Sequence, residues 1–377
     1  MNITEIYKFI SKEELIVISV FFLIVILRGF YIYLWRKTIY RDKAPSQPEM
    51  TPLSVIIYAC NDADNLKNNL KAILKQDYPD FEVIVLNDGS TDDTNDLLKF
   101  YERDYPNLYH TYLPEEAKTQ SRKKLGLNVA IKAARFDWIV MTTANSKPVS
   151  DQWLKSLARN IDEKTDVVLA YSGLRSFKKG GLYFCLSNLI FQVKYLAAAC
   201  IGKPYMGVGN NLAVRKDVFK QRLFHGILNL PFGEDDIPVN RIANKENTRV
   251  ELSPESVVEV YYSDFALGWK ERMLAYTGSR KYYSKKGYRL WFPEYLLRVL
   301  FWGILIYSAC MGYFANWLYS LIFFKFALCY YLFLYFSINR IGKQFREPRF
   351  GVTLLKRELF QLFIDLYYKK KGRKYTC

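Results

Sequence analysis

The sequence predicts an α/β fold, a parallel sheet with helices on both faces, accompanied by three flanking transmembrane helices. Three observations carry this. From Pro52 onward, short apolar runs alternate with amphipathic ones. Three other runs are about as long as a bilayer is thick. Lys and Arg gather at particular ends of those runs.

Glu14 to Trp35 is the first long apolar run, interrupted by Arg28. A cleaved signal peptide is the competing reading, but the run is long and no A-x-A-like site follows it. "LSVIIYAC" (53–60) is continuously apolar, as in a strand buried on both faces. In "NDADNLKNNLKAILKQ", Leu66, Leu70, Ile73 and Leu74 share one helical face behind a cap at Asn61 or Asp62. "FEVIVLN" (81–87) is a second strand, followed by the turn "DGSTD" and a helix from near Asp92. Residues 108–114 form a third short strand, 122–135 a helix and 137–143 a strand. Alternation of this kind implies a parallel sheet covered by helices. The stretch 182–202 is apolar enough for either an interface helix or a core helix. Tyr295 to Phe314 and Trp317 to Ile338 read as a transmembrane hairpin turning near Ala315–Asn316, with Lys325 inside the second span. In the tail, Leu354, Leu355, Leu359, Leu362, Phe363 and Leu366 recur at helical spacing before a Lys/Arg cluster, the pattern of an interfacial helix.

The expected division is therefore 1–44 as anchor, 45–290 as the α/β domain, 291–340 as hairpin and 341–377 as a basic amphipathic tail. The chain of 377 residues carries 54 basic and 37 acidic side chains, a formal charge of +17. Much of that excess sits at Arg36, Lys37, Arg41 and Lys43 and in the tail. Positive residues stay on the cytoplasmic side, which places the N-terminus outside and both the domain and the tail inside. A nucleic-acid partner thereby loses most of its support. The six cysteines form no C-x-x-C pair and read as small buried hydrophobes. With only His110 and His225, a histidine-rich metal site is excluded.

In such sheets ligands bind beyond the carboxyl ends of the strands, so "NDGSTD" and "TTANSKP" belong to one crevice. No Gly-x-Gly-x-x-Gly follows the first strand and no Walker loop occurs, which disfavours dinucleotide binding and P-loop phosphotransfer.

Four ordered segments resemble the membrane-anchored, inverting family 2 glycosyltransferases of the GT-A fold: the unit from Leu53 through "NDGSTDDT", "SRKKLGLNVAIKAARFDWIVMTTANSKP", "MGVGNNLAVRKDVF" and "PFGEDDIPVNRIA". The resemblance runs from about Leu53 to Tyr283. It implies a nucleotide-diphosphate sugar as donor, a lipid-linked or glycan acceptor, and a bacterial inner membrane. It implies that Asp88 contacts the nucleotide base, with Asn61 at the rim, and that Asp235 is the general base, flanked by Glu234 and Asp236. Asn210 lies in the acceptor-side segment. Clustered carboxylates raise a base's pKa toward neutrality.

The family's usual Asp-x-Asp, which holds Mg²⁺ or Mn²⁺, falls on Thr143 and Asn145 here. Hard divalent ions prefer carboxylate oxygens, so metal affinity is expected to fall, with Asn145 at the degenerate metal position and no certain cofactor. The closing Gln-x-x-Arg-Trp signature is also degraded, retaining Arg272. Two readings follow. In one, the chain is an active transferase in which Arg122, Lys123, Lys124, Arg272, Arg280 and Lys281 neutralise the leaving diphosphate in place of metal. In the other, it is a non-catalytic GT-A partner in a glycan-assembly complex.

Overall fold

A computed structural model describes residues 11–40, 50–113, 121–175, 181–218, 226–314 and 317–374. The expected hairpin turn at residues 315–316 and the basic residues Arg41 and Lys43 lie outside the described residues. The chain opens with helix α1 (Lys12–Ile39), begun by a capping box in which Ser11 and Glu14 satisfy each other's backbone N–H groups.

The α/β domain then runs β1 (Leu53–Ala59), α2 (Ala63–Leu74), β2 (Phe81–Asn87), α3 (Thr94–Asp104), β3 (Leu108–Tyr112), α4 (Arg122–Ala133) and β4 (Trp138–Thr143). Next come β5 (Ser146–Pro148), α5 (Trp153–Ala158), β6 (Val167–Ala170), β7 (Ser172–Arg175) and α6 (Leu182–Cys200). The domain closes through β8 (Leu212–Arg215), α7 (Asp236–Ile242), β9 (Thr248–Glu251), β10 (Val258–Tyr261) and α8 (Phe265–Ser279). Among the described residues, seven strands form the main sheet in the order β3-β2-β1-β4-β8-β6-β9, and β5-β10-β7 form a smaller one. The sheet is mixed. β1 runs parallel to β2 and β4, while β8 lies antiparallel between β4 and β6.

Register positions the site. Ala59 pairs with Asn87 and Tyr58 with Thr143, so the carboxyl ends of β1, β2 and β4 lie in one row. Because β8 is antiparallel, its first residue, Leu212, pairs with Met141. The preceding Gly209–Asn211 therefore arrive at that same rim. The apolar composition of β1 and β4 follows from burial on both faces: Val55, Ile57 and Val140 pack under α2 and α5, while Ile56 and Ile139 face the opposite core with α4 and α6.

Helices α9 (Phe292–Phe314), α10 (Trp317–Gln344) and α11 (Val352–Lys374) complete the described chain. Phe21 of α1 stacks on Phe301 of α9 at 5.1 Å and meets Phe323 of α10 at 4.9 Å, which binds the three apolar helices together. Among the described residues four helices are long and apolar enough to cross a membrane: α1, α6, Gly287–Tyr313 and α10. They are not alike. α1, α9 and α10 expose apolar side chains such as Leu23, Phe30, Ile306, Phe324 and Phe336, whereas α6 is largely buried inside the protein. The choice left open for residues 182–202 thus falls on a core helix. Its polar Asn188 and Gln192 bond Ser172 of β7, which explains why that stretch is less apolar than a span.

The cysteine expectation needs correction. Cys185 is buried, but Cys60, Cys200, Cys310 and Cys329 are exposed, the last two on the outward faces of apolar helices.

Candidate active site

The rim begins with loops that hold one another. Asn61 adopts a left-handed backbone (φ 53°), which Asn tolerates better than most residues. Its side-chain oxygen accepts the Thr91 N–H at 2.8 Å, and its own N–H donates to Ser90 Oγ at 2.9 Å. Asn61 thus clamps the "DGST" turn. Asp88, which follows β2, is buried. The Tyr58 hydroxyl donates to its Oδ2, and Arg122 at the start of α4 donates to Oδ1 at 2.6 and 2.7 Å. Burial and the adjacent Asp88 raise the Tyr58 hydroxyl well above its usual range, so it remains a donor.

The next two residues of α4 act differently. The Lys123 ammonium pairs with Glu234. Arg122 and Lys123 are neighbours, only about 3.8 Å apart at Cα, yet one grips Asp88 and the other Glu234. The start of α4 therefore ties the "NDGS" and "GEDD" loops to adjacent residues of one helix. Lys124 departs from its expected role at the diphosphate. It is fully buried, and its ammonium donates to the carbonyls of Ile227 (2.9 Å), Leu230 and Phe232 (2.7 Å). Burial lowers its pKa to about 8. A helical period turns consecutive side chains about 100° apart, so the third residue of "RKK" points into the core and holds the loop before "GEDD".

The polar lip after β4 is closed on itself. Thr143 Oγ1 lies 2.8 Å from Asn145 Oδ1 and 2.6 Å from Ser146 Oγ, and accepts Asn210 Nδ2 at 2.7 Å. Asn145 Nδ2 donates to the Tyr261 carbonyl at 2.8 Å, and the Tyr261 N–H returns to the Asn145 carbonyl at 2.9 Å. Asn69 of α2 ties the Ala144 carbonyl at 3.0 Å. These residues do not fit a divalent cation. They are uncharged, and the oxygens a metal would need already serve one another. Among the described residues no group of three or more His, Cys, Asp or Glu is arranged to hold a metal.

Asp235 caps the N-terminus of α7. Its Oδ1 accepts the Asp236 N–H at 2.8 Å. Its Oδ2 accepts the Gly209 N–H at 2.6 Å and the Tyr276 hydroxyl at 2.9 Å. Gly209 permits this approach, since a Cβ there would lie 3.2 Å from both Cβ and Oδ2 of Asp235. Gly233 supplies the bend (φ 88°) that turns the loop into α7, and a Cβ there would strike Ile237 Cδ1 at 2.3 Å.

Three carboxyls in a row diverge in charge. Burial raises Asp235 above the usual aspartate range, and Glu234 adds to that. Burial also pushes Glu234 upward, but the Lys123 ammonium outweighs it and leaves Glu234 low. Asp236 is raised well above its usual range by burial and then by Asp235. Expected at the substrate, Asp236 instead points into the core, where Tyr283 donates to its Oδ2 at 2.7 Å. The cause is the α7 turn: Asp235 caps the helix at the cleft, and the next residue must face inward.

Arg272 lies on α8 one helical turn before Tyr276, with Cζ 5.9 Å from that ring. It is buried, and neither Nη1 nor Nη2 has an acceptor among the described residues. Burial opposes its charge, but the surrounding tyrosines and Asp235 favour it more, so its pKa is raised. Arg280 and Lys281 lie over the rings of Tyr288 and Tyr282. Of the cations proposed from sequence, Arg272 combines a place beside Asp235 with unpartnered donors. Tyr58, Gly209, Ser146, Tyr261 and Tyr276 were missed by sequence reasoning. Tyr276 was findable, since it follows Arg272 by four residues and so shares its helix face.

Comparison with known proteins follows this geometry. Residues 54–223 match the family model described as glycosyl transferase family 2. The putative teichuronic acid biosynthesis glycosyltransferase TuaG of Bacillus subtilis is 29% identical over 105 residues, 28% of this chain and 40% of that protein. The poly(ribitol-phosphate) beta-N-acetylglucosaminyltransferase TarS of Staphylococcus aureus is 31% identical over 123 residues, 32% of this chain and 21% of that protein. The chain thus spans less than half the length of these curated relatives. The mannosyltransferase PcManGT of Pyrobaculum calidifontis, solved with GDP-Man and Mn²⁺, superposes with a TM-score of 0.53 at 16% identity, covering 96% of this chain and 95% of that one. That likeness establishes the shared fold.

Proposed function

We propose that this chain, whose residues 54–223 match the glycosyl transferase family 2 model, transfers a sugar from a nucleotide-diphosphate sugar to an acceptor hydroxyl, inverting the anomeric carbon. The observation that carries the reading is the state of Asp235. Its Oδ2 is held by two donors and its Oδ1 by one, which leaves Oδ1 a lone pair for an acceptor proton. In the transfer step the acceptor oxygen attacks the anomeric carbon as its proton passes to Asp235. The bond from that carbon to the diphosphate oxygen breaks, and its electron pair leaves with the nucleoside diphosphate. One positioned base and, among the described residues, no nucleophile pair support a single displacement, hence inversion.

Arg272 is the group for the departing diphosphate, because its charge is favoured and two of its nitrogens have no acceptor among the described residues. Asp88 receives the nucleotide, pre-oriented by Tyr58 and Arg122. Thr143, Asn145 and Asn210 form a neutral floor that hydrogen-bonds sugar hydroxyls or phosphate oxygens. PcManGT was solved in complex with Mn²⁺; here the neutral lip makes transfer independent of divalent metal. The domain works at the cytoplasmic face of a bacterial inner membrane, with α1, α9 and α10 as spans and the N-terminus outside. A membrane site suits a lipid-linked or glycan acceptor.

The self-satisfied lip favours a second reading, a non-catalytic GT-A partner in a glycan-assembly complex. A binding screen of UDP- and GDP-sugars in EDTA, on wild type and Asp88→Ala, separates the two. Binding by wild type, weakened in the variant and followed by transfer, supports the enzyme. Absence of nucleotide-sugar binding supports the partner role.

A further inference from the structure

Where α1, α6, α9 and α11 meet, a cluster of charge is enclosed that the transfer reaction does not use. Arg28 of α1, Arg298 of α9 and Arg357 of α11 are 1%, 3% and 4% exposed. Arg28 Nη2 pairs with Glu358 at 2.5 Å, and Arg298 with Glu294 at 2.6 Å and Glu358 at 3.5 Å. Lys194 of α6 also leans on Glu294, at 3.1 Å. Arg28, Arg298 and Lys194 thus share two carboxylates, with Arg357 as a fourth cation beside them. Asp365, whose charge also reaches Arg357, still leaves positive charge in excess. Five guanidinium nitrogens are buried with no acceptor among the described residues: Nε and Nη1 of Arg28, Nε of Arg298, and Nε and Nη1 of Arg357. All three arginines line one small cavity with Glu294, Glu358 and Tyr330. Tyr330 and Phe301 cover Arg28 at 4.4 and 4.7 Å, which compensates its charge from two sides but accepts none of those N–H groups.

Uncompensated buried cations are costly, and ionisable groups among membrane helices mark functional sites by default. The cluster also has a defined depth. Glu294 and Arg298 occupy the first two turns of α9, immediately after the domain, and α10 returns to it where Gln344 bonds the Leu252 carbonyl at 3.0 Å. Planar guanidiniums with paired free donors match phosphate oxygens, and basic pockets between helices on the cytoplasmic side suit lipid phosphates.

We propose that this inter-helix cluster binds the phosphate of an anionic membrane lipid. The enclosed space is small, about 10 Å³, room for about one water. A phosphate is therefore admitted by outward movement of α11, whose outer face is exposed at Leu355, Leu359 and Phe363. Binding does not depend on the transferase reading, and its test needs no sugar donor.

Among the described residues Arg357 pairs with no carboxylate, and Glu294 and Glu358 keep Arg298 and Arg28, so Arg357→Gln removes one cation without stranding a carboxylate. The full chain in phosphatidylcholine nanodiscs is titrated with a polyprenyl monophosphate, with phosphatidylglycerol and with inorganic phosphate. One or both lipids are expected to bind, at least tenfold more weakly to Arg357→Gln. Which lipid binds distinguishes a carrier phosphate from a phospholipid headgroup. A triple variant, Lys369→Gln, Lys370→Gln and Lys371→Gln, is expected to retain the affinity. If Arg357→Gln does not fold, Arg357→Lys retains charge but loses the planar fork and is expected to bind more weakly than wild type. Equal lipid affinity in wild type and the Arg357 variant overturns the proposal. So does loss of binding in the tail variant alone, or inorganic phosphate binding as tightly as either lipid.

Discussion

Replacing Tyr276 by Phe removes one hydroxyl and little else. The ring stays stacked on Phe191 (5.5 Å between centroids, 19° between planes), so the wall of the cleft is retained. Lost is the donor to Asp235 Oδ2 at 2.9 Å. A hydrogen bond to a charged acceptor contributes about 1.5–3 kcal/mol, and one pKa unit corresponds to about 1.4 kcal/mol. Because the donor favours the ionised carboxylate, its removal raises Asp235 further. Asp235 already lies above the ordinary aspartate range, through burial and then Glu234. The base works only when ionised, so kcat/KM falls on the acid side. The acid limb of the kcat/KM profile should therefore move to higher pH, with kcat/KM on that limb lowered about tenfold or more and the rate above it largely recovered. The assay is release of nucleoside diphosphate from pH 5 to 9, with the donor identified by the binding screen. An unmoved acid limb refutes the assignment of Tyr276 as the group that tunes Asp235. An equal loss at every pH refutes it too, since that reports a structural defect.

Three further outcomes are expected. The double change Thr143→Asp and Asn145→Asp restores an acidic pair, and Mn²⁺ should then bind, measurable by calorimetry, where wild type shows no response. Lys124→Met strands the carbonyls of Ile227, Leu230 and Phe232; thermal unfolding should reveal a loss of about 1–3 kcal/mol or more, and unchanged stability would contradict its role as loop clamp. Gly209→Ala places a methyl 3.2 Å from Asp235 Oδ2, so kcat should fall severalfold while donor affinity is kept; a fall in affinity with kcat intact would refute that geometry.

The main sheet was legible because its strands are buried on both faces. Runs such as "LSVIIYAC" and "FEVIVLN" have no other economical use in a soluble domain, and the observed β1 and β2 lie within two residues of the expected bounds. The antiparallel β8 was less legible. It has only four residues, and its direction follows from the return of the chain through α6 rather than from composition. Residues 182–202 resisted assignment because a core helix that carries Asn188 and Gln192 to a strand edge has nearly the hydropathy of a span. For the candidate site, the order of motifs pointed to Asp88, Asp235 and Arg272. It did not show which neighbours face the cleft. Lys124 and Asp236 turned inward because a helix rotates each successive side chain, and a one-residue difference in phase separates a ligand contact from a core contact. The closed lip of Thr143, Asn145, Ser146 and Asn210 joins residues 67 positions apart, and such pairing has no local signature.

Central to everything here is a metal-independent transfer step with Asp235 as base. The most direct measurement is sugar transfer in EDTA by wild type and Asp235→Asn, alongside donor binding by both. Wild type should turn over without divalent ions, and the variant should bind donor equally while its rate falls by about 10²–10⁴. Transfer by Asp235→Asn at the wild-type rate, or a wild type that turns over only with Mn²⁺ or Mg²⁺, would contradict it.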